Sequence, residues 1–322
     1  MGQLVVHPTI DACLTHNDET RTKSFHDIVT AAGTAIDDDG HSYYVLLWAS
    51  ATSANTWRRI DRVGMVFNTA ALPDGCTLTG ATIKVKGWAK SDGLVCSPNI
   101  CLYSFSPASE VALVIADYAL FGHDVLSNVV AYADWPIDQS QAVFTLNPAG
   151  LALINKTGNT CFGFRNPNYD VADHDPAWVS NQTSALDMWG RNGGSDPHIP
   201  EDGITLTIDY TEVPTVLSAT PNSAKRGETK DIVLAGTLLT GATAVDFGAL
   251  ITVDHFHVDS DNQVTANIIL GSGATLGARD VSITTPGGVG VLTAGFTVNP
   301  ADVVGASGDG AYFARKVACF GF

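Results

Sequence analysis

The sequence predicts an all-β protein built from antiparallel β-sandwiches. Hydrophobic residues make up 45% of the 322 residues and charged residues 16%, which is enough apolar side chain to bury substantial cores. The 31 glycines and 14 prolines supply frequent turns, and several segments alternate apolar and polar residues. Because turns and alternation are typical of short strands, helix is expected in no more than about a fifth of the chain.

Two segments within residues 5–210 alternate most cleanly, residues 203–210 and residues 81–88. In a strand, alternation places every second side chain on one face, which is the face that becomes buried. The residues predicted to point inward are Ile204, Leu206, Ile208 and Tyr210 in one segment and Ile83 and Val85 in the other. Trp88 falls on the opposite face, together with Lys84 and Lys86.

One short helix is expected at Asn147–Lys156. Asn147 is a suitable N-cap, Pro148 fits the first helical position, and Gly158 stops the helix soon afterwards.

The chain changes character near Pro214, where aromatic residues become rarer and Thr and Gly more frequent. A length of 322 residues suits two domains. We therefore predict a first β-sandwich over residues 1–212, a second over 213–299, and a tail over 300–322. Strands of the second domain are predicted at 231–235, 244–247, 263–270, 279–285 and 291–298.

The charge balance argues against nucleic-acid binding. The chain carries 17 basic and 33 acidic residues, a net charge of −16, and no long basic stretch. We also expect no signal peptide, because residues 1–6 lack a basic start and a long apolar run, and no membrane insertion. The prediction is synthesis in a host cytoplasm without standard secretion.

The six cysteines form no CxxC pair and have no zinc-type spacing with histidine. Two interpretations stay open. Reduced, mostly buried thiols are favoured in a cytoplasm, whereas Cys96 and Cys101 are close enough along the chain to form a later disulfide.

The second domain resembles the IPT/TIG family of immunoglobulin-like domains. The residues that carry the resemblance are PTVLSATP at 214–221, GATAVDFG at 241–248, DSDNQVTA at 259–266, TPGG at 285–288 and FTV at 296–298. The family usually has Ser-Gly before its first strand pair, where this chain has AKRG at 224–227. The resemblance implies an immunoglobulin-like β-sandwich.

The first domain resembles jelly-roll domains of bacteriophage structural proteins and of carbohydrate-binding-module-like (DNRLRE-type) surface proteins. The resemblance lies in residues 58–75, 79–84, 146–158 and 162–170. It implies an antiparallel jelly-roll-like sandwich, and neither family fixes a single function.

Metal binding is a candidate property of the acidic stretch that holds Asp170, Asp173 and Asp175. Carboxylates two or three residues apart in a loop can supply oxygen ligands to Ca²⁺, although this is not the EF-hand spacing. A solvated polar loop is the competing interpretation. His255 and His257 would share one face of a strand but have no third ligand nearby. No other cofactor is expected.

Carbohydrate binding is a candidate property of the tryptophans, since jelly-roll modules often stack exposed aromatic rings on sugars. Trp88, Trp135 and Trp178 are the candidates. The competing interpretation is ordinary core packing.

The C-terminal tail combines a Gly-rich hinge at 305–310 with apolar residues, among them Tyr312, Phe313, Phe320 and Phe322. It is expected either to dock on a neighbouring subunit or to pack on its own domain.

We find no G-x-S-x-G, H-E-x-x-H, P-loop or G-x-G-x-x-G motif, so an enzyme is the weakest hypothesis. The favoured hypothesis is a non-enzymatic structural or accessory protein of a bacteriophage virion: a capsid decoration, head fibre or tail component. Its partners would be other virion proteins, further copies of itself and a host surface glycan. The alternative is a carbohydrate-binding protein that is exported or displayed on a cell surface.

Overall fold

The computed structural model describes residues 2–38, 41–73, 75–191 and 203–302. Strands hold 54% of the residues and helices 9%, which confirms the all-β fold class. The chain divides into two compact units, Met1–Glu212 and Val213–Phe322. The predicted docking residues of the tail, from Tyr312 to Phe322, lie outside the described residues.

The described part of the first unit contains twelve strands, and every pairing between them is antiparallel. The strands are β1 (Gly2–Val6), β2 (Pro8–Asn17), β3 (Ala35–Asp37), β4 (Ser42–Ala49), β5 (Trp57–Asn68), β6 (Thr77–Asp92), β7 (Cys101–Phe105), β8 (Phe121–Val125), β9 (Gln141–Thr145), β10 (Asn159–Arg165), β11 (Thr183–Trp189) and β12 (Ile204–Thr211).

The helices of this unit are short. Helix α1 (Phe25–Thr30) begins at Ser24, whose hydroxyl accepts a hydrogen bond from the Asp27 N–H. The predicted helix is α2 (Pro148–Ala152), which begins at Asn147 as expected but ends earlier than Lys156. The remaining turns are 3-10 helices at Ile115–Leu120 and Tyr132–Asp134 and a π-helical turn at Pro167–Val171.

Strand β5 organises one layer of the first unit. Strand β2 pairs along one edge of β5, while β4 and β10 share the other edge. Strands β7 and β8 continue outward from β10. The other layer is built on β6, which pairs with β9 and β12, and β1 pairs with β12. Strand β11 pairs with both β4 and β6 and so joins the two layers.

The main core lies between these layers and consists of the inward-pointing side chains of the alternating strands. Ile204, Leu206 and Ile208 of β12 are fully buried, as predicted, and Tyr210 is half-buried. They pack in one cluster with the inward residues of β6 and β10, among them Ile83, Val85, Phe162 and Phe164.

The opposite face of β5 is buried as well. Helix α1 and Trp57 form one apolar cluster there, and Leu14, Tyr118 and Phe121 belong to a second. Because it is covered on both sides, β5 is buried continuously from Ile60 to Phe67 instead of alternating.

The second unit is a β-sandwich of two four-stranded sheets within its described residues. One sheet has the order β13-β15-β18-β17 and the other β14-β20-β19-β16, with β14 parallel to β20. The strands are β13 (Thr215–Thr220), β14 (Ser223–Lys225), β15 (Thr229–Thr237), β16 (Ala244–Asp246), β17 (Ile251–Ser260), β18 (Gln263–Leu270), β19 (Gly277–Thr285) and β20 (Gly288–Asn299).

All five strands predicted for this unit are present, and β18 has the predicted ends. The core is one apolar cluster in which Phe247 and Phe296 meet edge to face, their ring centres 5.3 Å apart. Strands β13 and β14 lie outside the predicted ranges, as does β17, of which only the segment around His255 and His257 was placed on a strand.

Among the described residues, Cys13, Cys76, Cys96, Cys101 and Cys161 are all free thiols. No helix in the described part of the chain is long and apolar enough to span a membrane.

Candidate functional site

The outward side of β4 is unusually rich in aromatic residues. The odd-numbered residues from Tyr43 to Ala49 are buried, and the even-numbered residues from Ser42 to Trp48 are half-buried. This alternation leaves Tyr44 and Trp48 on the less buried face of the strand, although Tyr44 still packs against the main core cluster.

Strand β11 extends this face toward β6. Asp187 lies opposite Tyr44 of β4 and Ala89 of β6, and Trp189 lies opposite Ser42. Residues paired across a sheet share a face, so Asp187 and Trp189 lie on the same side as Tyr44. We call this surface the aromatic face; it consists of Tyr44, Trp48, Trp88, Asp187 and Trp189.

The indole rings of Trp88 and Trp189 stack, with ring centres 5.4 Å apart and an angle of 28° between the planes. Both residues are half-buried. At the other end of the face, the guanidinium carbon of Arg58 lies 3.9 Å from the centre of the Trp48 ring. The tryptophans of the face are therefore in contact with one another or with Arg58, and each is partly open to solvent.

Polar atoms within the face lack partners. The indole nitrogens of Trp48, Trp88 and Trp189 and Oδ1 of Asp187 are buried and have no hydrogen-bond partner in the described residues. Burial raises the pKa of Asp187 to about 6. A buried polar atom without a partner is costly, so this face carries an unmet hydrogen-bonding cost.

Trp135 supports this face from behind. Its indole N–H donates to the carbonyl oxygen of Asp187 at 3.2 Å, and the residue is only 2% exposed. Gly87 allows the close packing, because a Cβ there would lie 2.9 Å from the Trp135 indole nitrogen and 2.4 Å from the Pro136 carbonyl oxygen. The prediction that Trp135 stacks on a sugar is therefore wrong: the ring is in the core.

Trp178 lies elsewhere in the first unit. It is half-buried, its indole N–H donates to the carbonyl oxygen of Thr56 at 3.0 Å, and it packs against the apolar cluster of α1. Of the three predicted glycan residues, only Trp88 belongs to the aromatic face.

Asp170, a predicted calcium ligand, is 1% exposed and is held by two arginines. Its Oδ1 accepts from Arg62 at 2.6 Å, and its Oδ2 accepts from Arg165 at 2.8 Å. Burial acts to raise the pKa of Asp170, but the charges of Arg62 and Arg165 prevail and lower it to about 2. Because both oxygens are occupied by guanidinium groups, the structure does not support Ca²⁺ binding by this carboxylate.

Asp173 and Asp175 are exposed, and Asp173 contacts the imidazole of His26. His255 contacts the neighbouring Asp254 and lies, like His257, on the exposed surface of β17. In the ranges that the structure describes, no group of three or more His, Cys, Asp or Glu side chains is arranged to hold a metal ion.

Sequence reasoning did not select Trp189, Trp48 or Tyr44. A signal for Trp189 was present: in β11 it alternates with Asp187 while Leu186 and Met188 point inward. Its stacking on Trp88 depends on the pairing of β11 with β6, which joins segments nearly a hundred residues apart and cannot be read locally.

Fold and site together describe a two-unit β-sandwich protein with an aromatic face on its first unit. Residues 213–311 match the family model of quinohemoprotein amine dehydrogenase, alpha subunit domain III. This match covers less than a third of the chain, and it makes the second unit similar to a β domain of that enzyme subunit. It does not reach the aromatic face. No curated protein matches the chain.

Proposed function

We propose that this chain is a non-enzymatic structural or accessory protein of a bacteriophage particle that binds carbohydrate through its aromatic face. The observation that carries the binding proposal is the stacked Trp88–Trp189 pair beside Asp187, whose Oδ1 has no partner among the residues that the structure describes. The particle proposal rests on the resemblance of the first unit to jelly-roll domains of phage structural proteins.

The chemistry of the face suits a sugar. A pyranose ring presents apolar C–H groups on its faces and hydroxyl groups at its rim. Large aromatic side chains bury the apolar part, and a few placed polar atoms fix the orientation. The half-buried Asp187 carboxylate can accept from hydroxyl groups. Because the protein carries a net charge of −16, we expect a neutral glycan.

Binding to a host surface through many copies would suit a particle protein. Linked sites raise the effective concentration of the second binding event, so weak single sites suffice. The other virion proteins and further copies of this chain are the expected assembly partners.

Glycan arrays followed by titration test the binding proposal. The full-length protein should bind a neutral glycan, and Trp88→Ala or Trp189→Ala should each weaken binding at least about ten-fold, which is 1.4 kcal/mol. Trp178→Ala is the matched control, since it removes a half-buried indole outside the face and should leave affinity unchanged. A blank array with folded protein, or equal losses in all three variants, would contradict the proposal.

Mass spectrometry of gradient-purified particles tests the location. Detection of the chain in the particles at a stoichiometry of many copies is expected. If the chain binds glycan but is absent from particles and is found on cell surfaces, the alternative of a displayed carbohydrate-binding protein is correct.

A further inference from the structure

The first unit contains a second site that the proposed function does not use. Arg62 of β5 and Arg165 at the end of β10 meet around the single carboxylate of Asp170. Their side chains are 3% and 2% exposed. A pocket of about 210 Å³ opens onto both arginines; its other lining residues are Val29, Thr30, Ala119, Phe121 and His123.

The position of Asp170 follows from local structure. Asn166 caps the π-helical turn after β10, and its side chain accepts from the backbone N–H of Asn168 and of Tyr169 at 3.0 Å. The turn returns Asp170 beneath Arg165, and Arg62 approaches from β5. The cluster is therefore fixed by two strands and a capped turn, which makes its geometry rigid.

Hydrogen-bond donors exceed acceptors in this cluster. Each guanidinium has five N–H donors. Arg62 places four of them, on both Asp170 oxygens and on the carbonyl oxygens of Tyr118 and Val29. Arg165 also places four, on Asp170 and on the carbonyl oxygen of Gly122. In the described residues, one N–H of each Nη1 has no acceptor.

The cluster also carries an excess of positive charge. Two guanidinium cations face one ionised carboxylate, which leaves one buried positive charge. The face of the Tyr118 ring, 4.0 Å from the Arg62 guanidinium carbon, offsets part of this cost. No second carboxylate contacts either arginine within the described residues. An uncompensated buried charge is expensive, so the cluster favours a further anion.

We propose that this pocket binds the carboxylate of a small organic acid. Both arginines line the pocket, and each keeps one N–H donor that a bound carboxylate can use. A single excess positive charge matches a monoanion better than a phosphate dianion. The apolar part of the lining, which a short aliphatic group can contact, is formed by Val29, Ala119 and Phe121. Polar groups of the lining come from Thr30 and His123. The volume limits the ligand to a few carbon atoms.

Thermal unfolding of the full-length protein with sodium propionate, acetate, phosphate or chloride at equal ionic strength tests this proposal. Propionate or acetate at about ten times its Kd should raise Tm by about 3–6 °C, and isothermal titration should give one site per chain. Phosphate and chloride should not reproduce the shift.

Ala119→Trp should fill the pocket and abolish the response while leaving the arginines in place. Ala116→Trp is the matched control, because Ala116 is an exposed alanine of the same 3-10 helix that does not line the pocket. A propionate response that survives Ala119→Trp, a stronger response to phosphate, or no response to either carboxylate would each overturn the proposal. Trp88→Ala should respond like wild type, which separates this site from the aromatic face.

Discussion

The two units differ in what they bury. The first unit encloses charged groups: Asp11, Asp61, Arg62, Arg165 and Asp170 are each at most 3% exposed. In the described part of the second unit, Thr285 is the only buried polar residue, and the core is otherwise apolar.

The difference indicates that the two units have different roles. An apolar core provides stability and tolerates conservative substitution, as suits a supporting module. Buried ionic groups add little net stability but are costly to leave unpaired, so their presence suggests a role in placing side chains. Both candidate binding sites lie in the first unit, where such groups occur.

Removing the charge of Asp170 should destabilise the first unit most. Asp170→Asn leaves two buried guanidinium groups without their counter-ion, at a cost of about 3–5 kcal/mol. Calorimetry and hydrogen exchange should show the loss in β5 and β10, with β18 of the second unit unchanged. Asp173→Asn, an exposed neighbour, should change stability by less than about 0.5 kcal/mol. Similar effects of both variants would show that the ion cluster is dispensable.

The same carboxylate should make the first unit acid-sensitive. The folded-state pKa of Asp170 is lowered to about 2, so its contribution is complete above the unfolded-state value near 4 and disappears as the pH falls toward 2. The second unit has no comparable buried carboxylate among its described residues. Asp11 and Asp187, whose pKa values burial raises to about 6, act in the opposite sense, but only above about pH 4. Hydrogen exchange should therefore show β5 and β10 losing protection between about pH 4 and pH 2, while β18 keeps it.

A methyl group at Gly87 should disturb the aromatic face from behind. In Gly87→Ala the new Cβ would clash with the Pro136 carbonyl oxygen and the Trp135 ring. Overpacking of this kind costs about 1–3 kcal/mol, and glycan affinity should fall because Trp88 shifts. Gly80→Ala in the same strand is the control, since its nearest neighbour is 3.8 Å away. Equal stability and affinity in the two variants would contradict the assigned role of Trp135.

The second unit should show ordinary core behaviour. Ile283 is fully buried in β19, and Ile269 of β18 is 41% exposed. Ile283→Val should cost about 0.5–1.5 kcal/mol through the lost methylene and the cavity left behind. Ile269→Val, the identical change at the surface, should be close to neutral. Urea unfolding followed by tertiary-structure signals measures both, and a larger effect at Ile269 would mean that its surface is covered.

Local patterns in the sequence predicted much of the fold and little of the sites. Alternation identified the buried faces of β6 and β12, and the N-cap at Asn147 placed α2. Each of these features depends on neighbours along the chain. In contrast, Asp170 meets Arg62 across 108 positions of sequence, so its spacing to Asp173 and Asp175 suggested a metal site instead of an ion cluster. Trp135 lies in an irregular segment whose burial has no periodic signature.

The smallest expected effect concerns Asp187. Burial raises its pKa to about 6, so the folded state keeps the proton while the unfolded state loses it near pH 4. Stability should therefore fall as the pH rises from about 4 to 6, then stay constant. Because the residue is partly exposed, the cost is below about 1 kcal/mol. Asp187→Asn should remove this step, making the variant equal to wild type at pH 4 and slightly more stable at pH 7. Burial also raises the pKa of Asp11 to about 6, so only the difference between variant and wild type isolates Asp187.

If the Asp187 carboxylate accepts sugar hydroxyl groups, wild-type glycan affinity should weaken below pH 6 while that of Asp187→Asn stays flat. Parallel pH profiles for the two proteins would place Asp187 outside the binding face.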